Sequence, residues 1–460
     1  MQRETVMKKS ANQNLHENEV LVNLEESQKS KIQLPLRTPD FPVQQKDRYT
    51  ILCPQMAPIH FALAEVIFES CGFHLEILPD VDRNAIEEGL RYVNNDVCYP
   101  AIVVVGQLIQ ALKSGKYDLS RTALMISQTC GGCRSTNYAT FLKIATLKAG
   151  FPEIPVIPFN INVTTSENPG GVTVTFSMVR KLFFALLYGD LLLRVSNSCR
   201  PYEVKHGTTD ALVKKWLHYL RRGLLEGTCW NISKIAAEIV KDFESLELVS
   251  RRNRPKVGIV GEILVKYHPG ANNNLVSLVE KEGGEAVIPD MMDFVLYCVS
   301  SDQFREPYSR VSLWDKFTSR VAVWLIEHYR NKIRKVLNRS ERFTAEGEFR
   351  HLVKKAAPFV STCNHTGEGW LLTAEMVELI EHGTPNIICV QPFGCLPNHI
   401  TGKGVMKALK TTYPHANIAI IDYDPGTTEV NQLNRIKLMM AVAVRNLTGK
   451  TLGENFSDVL

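Results

Sequence analysis

Short apolar segments alternate with helical segments along most of this chain, and the alternation occurs twice. The first run opens with predicted strands at 49–53 and 75–78 around a helix at 60–71. The second run opens in the same way, with strands predicted at 256–260 and 286–288. Strand–helix–strand units of this kind build parallel sheets that carry helices on both faces. We therefore predict an α/β fold with two doubly wound parallel-sheet domains and long connecting helices.

Composition indicates where these domains begin and end. Residues 1–46 are polar and lack apolar periodicity, which predicts a disordered N-terminal arm or linker. The first α/β domain is predicted over 47–195, and the second over 256–460. The intervening residues, 196–255, carry long helical patterns and end in a charged stretch with Pro255, which predicts a helical connection.

Further predicted elements continue the alternation in both halves of the chain. Strands are predicted at 123–127, 156–159, 387–390 and 417–422. Helices are predicted at 100–114, 136–149, 172–195, 210–225, 232–246, 273–282, 313–337 and 431–445.

The bulk composition is typical of a soluble globular protein, with 45% apolar residues, 22% charged residues and a net charge of +5. No Lys/Arg block interleaves with aromatic residues, so nothing indicates nucleic acid as a partner. The longest apolar stretch, Leu182–Leu193, is interrupted by polar residues and is too short to cross a membrane. The polar N-terminus and the odd number of cysteines, 11, predict a cytoplasmic protein with reduced thiols.

Four cysteines occur in short turns beside apolar segments. Cys98 lies in NNDVCYP, Cys130 and Cys133 lie in QTCGGCR, and Cys395 lies in QPFGCLPNH. Gly and Pro in such turns let the backbone approach a bound group closely. Thiolates that are far apart in sequence but similarly placed at strand or helix ends suggest a shared iron–sulfur site.

The predicted sheets bring these turns to equivalent places. Cys130 and Cys133 follow the strand at 123–127, and Cys395 follows the strand at 387–390. Ligands of open parallel sheets bind beyond the carboxyl ends of the strands. We therefore expect one cleft between the domains to collect cysteines from both.

Cys98 and Cys133 also precede predicted helices. The positive end of a helix dipole and the free backbone N–H groups there lower the pKa of a thiol. The same N–H groups can donate hydrogen bonds to cluster sulfides. Arg134 is a candidate for offsetting the negative charge of a thiolate-bound group, with a surface position as the alternative.

Other chemistry also fits the CGGC segment. A CxxC between a strand and a helix is typical of a thioredoxin-type redox pair. Zinc would require a second CxxC or a paired histidine, and His365 and His399 are the nearest candidates. Five further cysteines are interpreted as structural because free cysteine is commonly buried: Cys71, Cys199, Cys229, Cys298 and Cys389.

The segment NHTGEGW places Glu368 between two glycines and just before Trp370. Two interpretations remain open at this point. The segment is either a loop that contacts a ligand or partner, or a tight turn that places Trp370 in the core.

Six segments together carry a family resemblance: NNDVCYPAIVVVGQLIQALKSGKYD, QTCGGCRSTNY, KVGIVGEILVKYHPGANNNL, GEGWLLTAEM, QPFGCLPNHITGKG and DYDPGTTEVNQLNR. Over about residues 48–446 the chain resembles the acyl-CoA dehydratase activase-related family. This is the region at the C-terminal end of large 2-hydroxyacyl-CoA dehydratase activators. More distantly, the chain is similar to the iron–sulfur subunits of 2-hydroxyglutaryl-CoA dehydratase and to double-cubane-cluster reductases.

The resemblance implies an iron–sulfur cluster, [4Fe-4S] or larger, held by Cys98, Cys133 and Cys395. One iron position would remain open to a substrate or a bridging ligand. The family's second motif usually has a single cysteine, so Cys130 is an additional candidate ligand, and a role for Cys363 is left open.

The resemblance also implies a partner that uses ATP to inject a low-potential electron. The sequence has no phosphate-binding signature of its own, so we expect a separate ATP-dependent activator protein. The expected role, in anaerobic metabolism, is to accept these electrons for reductive or dehydratase (lyase) chemistry on an acyl-CoA or another small molecule. The alternatives are a non-catalytic electron carrier or accessory component, and a metal-free CGGC thiol–disulfide protein. We expect an oligomer that binds neither nucleic acid nor membrane.

Overall fold

The computed structural model describes residues 38–94, 96–129, 132–159, 174–249, 254–304, 311–426 and 429–448. Most of the predicted disordered arm, 1–46, lies outside these residues. The part of the arm that is described includes Phe41, which is buried in the first hydrophobic core. The packed chain therefore begins before residue 47.

Eight strands form two four-stranded sheets within the described residues. They are β1 (Thr50–Cys53), β2 (His74–Ile77), β3 (Thr122–Ser127), β4 (Val156–Phe159), β5 (Lys256–Gly261), β6 (Glu285–Val287), β7 (Asn386–Pro392) and β8 (Asn417–Tyr423). All their pairings are parallel, in the orders β2-β1-β3-β4 and β6-β5-β7-β8. The prediction of an α/β fold with two doubly wound parallel sheets is confirmed.

Helices precede, connect and follow these strands. The α-helices are α1 (Pro58–Ser70), α2 (Arg83–Tyr92), α3 (Tyr99–Lys113), α4 (Tyr138–Lys148), α5 (Phe176–Cys199), α6 (Thr208–Glu226), α7 (Ile232–Glu244), α8 (Ile263–Tyr267), α9 (Leu275–Lys281), α10 (Met291–Val299), α11 (Ser301–Phe304), α12 (Leu313–Leu337), α13 (Phe349–Ala356), α14 (Gly369–Glu381), α15 (Leu396–Asn398), α16 (Met406–Thr412) and α17 (Glu429–Thr448). Short 3₁₀ helices occur at Val43–Arg48, Leu119–Arg121, Arg134–Asn137, Arg200–Tyr202 and Pro269–Ala271, and a π-helical turn occurs at His399–Lys403.

Both sheets have the same strand order, and this order fixes where a ligand site can form. From the central pair β1 and β3, the chain crosses to β2 on one side and to β4 on the other. The pair β5 and β7 has the same relation to β6 and β8. The crossovers therefore diverge at the carboxyl ends of the central strands, which is the topological switch point where open α/β sheets bind ligands.

The apolar runs that predicted the strands reflect burial on both faces of each sheet. All seven residues of β7 are buried, as are five of the six residues of β5. A strand covered by helices on both faces carries a continuous apolar run rather than an alternating one.

The two halves of the molecule pack directly against each other. The rings of Tyr99 and Tyr423 stack with their centroids 6.5 Å apart. The Tyr99 hydroxyl donates to the Ala271 carbonyl at 3.3 Å, and the Tyr423 hydroxyl donates to the Asn272 carbonyl at 3.2 Å. The two Tyr99 contacts hold the start of α3 against the second half of the chain, whereas the Tyr423–Asn272 hydrogen bond lies within that half.

Three helix predictions start too early. The helix predicted over 172–195 starts at Phe176, because Thr175 is its N-cap and accepts a hydrogen bond from the Met178 N–H. The helix predicted over 136–149 is a 3₁₀ helix up to Asn137 and becomes α-helical at Tyr138. The helix predicted from Asn273 starts at Leu275, because Asn273 and Asn274 have φ angles of 56° and 55°. Two consecutive left-handed residues cannot belong to a right-handed helix.

None of the helices in the described ranges combines the length and the apolar character that a membrane-spanning segment needs.

Candidate functional site

Cys98 caps the N-terminus of α3 and is buried. Its Sγ lies 3.3 Å from the hydroxyl of Tyr138, the first residue of α4. Pro100 lies in the first turn of α3, where its missing N–H costs nothing. Burial raises the pKa of the Cys98 thiol to about 11, although the hydrogen bond from Tyr138 acts in the opposite direction.

Cys133 follows β3 and caps the 3₁₀ helix that starts at Arg134. The Arg134 side chain donates to the Asp96 carbonyl, so it ties this turn to the turn before Cys98. Gly132 faces the loop that precedes α14, since a Cβ at this position would lie 3.4 Å from the Thr366 side chain. Burial raises the pKa of the Cys133 thiol, and the charges of Glu368 and Glu262 raise it further.

Cys395 follows β7, the strand equivalent to β3, and caps α15. The thiol is buried, and the Asn398 side-chain amide donates to its Sγ at 3.0 Å. The same amide donates to Glu368 Oε2 at 2.8 Å. Burial and the charge of Glu368 raise the pKa of the Cys395 thiol well above its usual range.

Two carboxyl groups, the half-buried Glu262 and the buried Glu368, lie at the N-terminus of α8. Glu262 directly follows β5 and accepts a hydrogen bond from the Val265 N–H at 2.9 Å. Glu368 precedes α14 and accepts from the Ile263 N–H at 3.0 Å. Burial, together with the charge of Glu368, raises the pKa of Glu262 to about 8, and burial raises the pKa of Glu368 as well. The pair therefore holds a proton at neutral pH.

This carboxyl pair marks the place where the three thiols come together. The charge of Glu262 raises the pKa of Cys98, Cys133 and Cys395, and Cys133 also affects Cys98. Contacts between the turns agree with this: Arg134 donates to the Asp96 carbonyl, a Cβ on Gly132 would lie 3.4 Å from the Thr366 side chain, and a Cβ on Gly394 would lie 3.8 Å from the Asp96 carbonyl oxygen. The turns that carry Cys98, Cys133 and Cys395 therefore lie next to one another, and Asn398 links Cys395 to Glu368.

A buried ion pair provides positive charge near this centre. Lys266 Nζ lies 3.0 Å from Glu375 Oε1, and both side chains are buried. The charge of Lys266 opposes the effect of burial on the pKa of Glu262 and of Glu368. One buried cation thus partly offsets the acidic groups that surround the thiols.

The expected lowering of the thiol pKa by backbone N–H groups is present for Cys98 and Cys133, but burial outweighs it and the net pKa of both thiols is raised. Cys98 and Cys133 do cap helical turns, and Cys98 receives a backbone hydrogen bond from the first turn of α3. Desolvation is the larger effect for both, because a buried thiolate loses its hydration.

Four other residues were candidate ligands from the sequence: Cys130, Cys363, His365 and His399. Cys130 lies outside the described residues. Cys363 is half-buried, with its Sγ 3.7 Å from the Phe304 carbonyl. His365 stacks on Tyr297 with ring centroids 4.0 Å apart, and His399 is within hydrogen-bonding distance of Gln391.

The cysteines interpreted as structural differ in exposure. Cys199, Cys229 and Cys389 are fully buried, which agrees with a packing role. Cys71 is half-buried at the end of α1, and Cys298 is exposed on α10.

Sequence reasoning missed several polar residues of this centre. Glu262, Lys266, Glu375 and Asn398 attracted no attention, whereas Glu368 was noted for its flanking glycines. Two of these residues could have been recognised from the sequence. Lys266 and Glu375 are charged residues inside apolar segments, and the apolar residues around them are buried. For the Glu368 segment, the interpretation as a turn that places Trp370 in the core is confirmed, since Trp370 is fully buried, and contact with a ligand or partner stays a prediction.

Within the described residues, no group of three or more His, Cys, Asp or Glu side chains is arranged to hold a single metal ion. The ligands of one tetrahedral ion lie about 4 Å apart. The thiolates of a cubane cluster lie further apart, at roughly 6–7 Å. The donor set itself suits such a cluster, since it consists of buried thiols next to backbone N–H groups at the starts of helical turns.

No family model matches the chain, and no curated protein sequence gives a significant match.

Proposed function

We propose that this protein holds an iron–sulfur cluster, [4Fe-4S] or larger, on Cys98, Cys133 and Cys395, with Cys130 as a candidate additional ligand. The observation that carries the proposal is the contact between the three turns that hold these thiols, which come from both halves of the chain, beside Glu368 and the N-terminus of α8. Each thiol occupies a capping position from which the following backbone N–H groups point toward it.

Charge balance supports metal ligation. Two buried thiols and one half-buried thiol, all with raised pKa values and beside two carboxyl groups, stay protonated in a metal-free protein. A bound metal deprotonates a coordinating thiol outright because its positive charge stabilises the thiolate. A cationic cluster core would thus supply the charge that the described part of the site lacks.

The metal-free thiol–disulfide alternative requires Cys130 and Cys133 to act as a redox pair. The attacking thiol of such a pair has a lowered pKa, because the thiolate is the nucleophile. Cys130 lies outside the described residues, so iron and sulfide analysis is the measurement that separates this alternative from the cluster.

In the proposed activity the protein accepts low-potential electrons from a separate ATP-driven partner and uses them in reductive or dehydratase chemistry on an acyl-CoA or another small molecule. When bound, the cluster would supply one-electron transfer and an open iron position. Glu262, whose charge raises the pKa of all three thiols, would be the candidate residue to hold or accept a proton beside the cluster. The runner-up is an electron carrier that performs no chemistry on a substrate.

An apolar rim beside Cys395 gives the partner a place to dock. Phe393, Leu396 and Ile400 surround this turn, and their exposed fractions are 58%, 68% and 46%. An electron donor has to approach the cluster closely, and exposed apolar side chains grouped at one loop are typical of a protein contact.

Iron and acid-labile sulfide analysis of anaerobically purified protein tests the proposal. Wild-type protein should contain about four iron atoms per chain or more, and Cys98→Ser, Cys133→Ser and Cys395→Ser should each lose most of this iron. Cys298→Ser, which changes an exposed cysteine of α10, is the matched control and should keep it. Wild-type protein without iron and sulfide after reconstitution would refute the proposal.

Turnover assays separate the enzyme from the carrier. The reconstituted protein would be mixed with a strong chemical reductant and candidate acyl-CoA substrates. Product formation that needs Glu262, and that is reduced in Glu262→Gln at unchanged iron content, supports the enzyme. Reduction and reoxidation without any product supports the carrier.

A further inference from the structure

Helix α12 carries an apolar stripe on its outer face. The stripe consists of Leu313, Trp314, Phe317, Val321, Trp324 and Leu325, which are all exposed. The opposite face of the helix is covered, because Ile326, Ile333 and Leu337 are buried in the first core. The stripe thus leaves a second apolar face on a helix that already has its core contacts.

The stripe is larger than isolated exposed side chains would explain. Trp314 is 68% exposed, Phe317 is 56% exposed and Trp324 is 61% exposed. Three aromatic and three aliphatic side chains at such exposures present on the order of 600 Å² of apolar surface. This value reaches the largest patches of ordinary monomers, and it approaches the roughly 800 Å² per partner of a standard interface.

Several side chains of this helix face lie at equal distances before and after Val321. Phe317 lies four residues before Val321 and Leu325 four residues after it. Trp314 lies seven residues before Val321 and His328 seven residues after it. Positions at four and seven residues share one face of an α-helix. Two aromatic pairs flank the centre, since Trp314 packs on Phe317 at 5.8 Å and Trp324 packs on His328 at 5.7 Å.

We propose that this stripe is a self-association surface, on which α12 of one copy packs antiparallel against α12 of a second copy. A two-fold axis would pass through Val321, which then meets the same residue of the other copy. Phe317 would meet Leu325, and Trp314 would meet His328, each twice. In an isologous interface each such pair occurs twice. The area favours a second copy as the occupant, because two stripes of about 600 Å² together bury about 1,200 Å², which reaches the lower end of stable interfaces.

The large aromatic side chains of the stripe would contribute much of the binding energy of the dimer. The tryptophan side chains lie within about two helical turns of the axis, and the stripe from Trp314 to His328 is about 21 Å long. Large aromatic residues near the middle of an interface contribute most of the affinity.

Sedimentation velocity on the full chain, kept anaerobic, tests the proposal. Wild-type protein should be a dimer at about 10 µM. Val321→Glu places two carboxylates against each other on the axis, and should raise the dimer dissociation constant by at least about 100-fold. Phe176→Glu is the matched control, because Phe176 is 84% exposed at the start of α5, outside the stripe, and this variant should stay dimeric.

A charge exchange tests the antiparallel register. Phe317→Lys and Leu325→Glu should each weaken the dimer, since each buries two unpaired charges. The double variant should regain it, because each lysine then meets a carboxylate of the other copy. The regained dimer also shows that the single variants did not simply fail to fold.

Three outcomes would overturn the proposal. They are a monomeric wild-type protein, a Val321→Glu variant as dimeric as Phe176→Glu, and a double variant that stays monomeric. A wild-type monomer would mean that another segment of this chain, or a different protein, covers the stripe.

Discussion

Five ionisable side chains of the candidate centre share one local feature, the capping position of a helical turn: Cys98, Cys133, Glu262, Glu368 and Cys395. A helix start leaves backbone N–H groups without partners inside the helix. Such groups stabilise negative charge on a nearby thiolate or carboxylate. Burial acts in the opposite direction and is the larger effect here, so these side chains favour their neutral forms until a cation is bound.

The first prediction at this scale concerns the two cysteines of CGGC. Cys130→Ser should lose less iron than Cys133→Ser, because Cys133 lies beside the carboxyl pair and the family resemblance implies one ligand in this motif. Iron per chain, measured after identical reconstitution, provides the comparison. Complete loss in both variants would show that Cys130 is a full ligand.

The second prediction concerns the stability of the metal-free protein. Burial and Glu368 raise the pKa of Glu262 from 4.5 to about 8. Between these values the unfolded chain releases a proton that the folded protein keeps, so the free energy of unfolding falls as the pH rises from about 5 to about 8. One proton gives a slope of at most about 1.4 kcal/mol per pH unit.

Urea unfolding of metal-free protein at several pH values measures this slope. Glu262→Gln should remove the contribution of about one proton, while Glu375 keeps part of the slope because its pKa is also raised, to about 7. Glu69→Gln on the exposed side of α1 is the control. An unchanged slope in Glu262→Gln would show that this carboxyl group ionises normally.

Among these residues, the sequence predicted the three cysteines, because each has Gly or Pro neighbours that favour a turn. Gly and Pro beside Cys98, Cys133 and Cys395 predicted close-approach turns, and all three cysteines precede helical turns in the structure. Glu262 could not be predicted from the sequence, because a single glutamate after a strand has the same pattern as a solvent-exposed helix cap. Only its burial reveals its altered acidity.

At the scale of elements, the end of β5 depends on one glycine. Gly261 has a φ of 134°, and a Cβ there would lie 1.9 Å from the Val390 carbonyl oxygen in β7. The absence of a side chain lets the two central strands pair closely up to their ends. Glu262, the next residue, depends on this path for its position.

Gly261→Ala should therefore destabilise the protein by about 3 kcal/mol or more, since it combines a forbidden backbone conformation with a clash. Gly383→Ala is a matched control, because Gly383 also has a positive φ, 79°, but a Cβ added there would have no other atom within 4 Å. It should cost about 1 kcal/mol. Urea unfolding compares the two, and equal losses would contradict the close approach of β5 and β7.

Element prediction from sequence succeeded where hydrophobic pattern alone determines structure. The strand at 156–159 and the helix at 313–337 have the predicted bounds, since burial on both faces or on one face leaves a clear pattern. The start of α9 was misplaced because Asn273 and Asn274 adopt left-handed conformations. Side-chain identity permits that conformation for Asn but does not require it.

At the scale of the whole molecule, two sheets of identical strand order meet through the start of α3. Val81 and Gly270 come from different halves, and a Cβ on Gly270 would lie 2.4 Å from the Val81 carbonyl oxygen. The tyrosine stack of Tyr99 and Tyr423 also joins the two halves. The sequence predicted two sheets and a site shared between them, but it contained no signal for these pairings, because a Tyr or Gly does not specify its distant partner.

If a separate activator protein uses the ATP, this protein should not bind ATP itself. The sequence has no glycine-rich phosphate loop with a Walker lysine. Isothermal titration of the isolated protein with ATP should give no stoichiometric binding, while a strong chemical reductant should still reduce the reconstituted protein. Stoichiometric ATP binding or hydrolysis would contradict a separate activator.

The central claim is that one cluster joins both halves of the chain through Cys98, Cys133 and Cys395. Anomalous diffraction at the iron absorption edge, on anaerobically grown crystals of the reconstituted protein, tests it most directly. The account predicts one group of iron peaks bonded to all three Sγ atoms and next to Glu262 and Glu368. Iron bound elsewhere, or a Cys98, Cys133 or Cys395 sulfur more than about 12 Å from the other two, would contradict it.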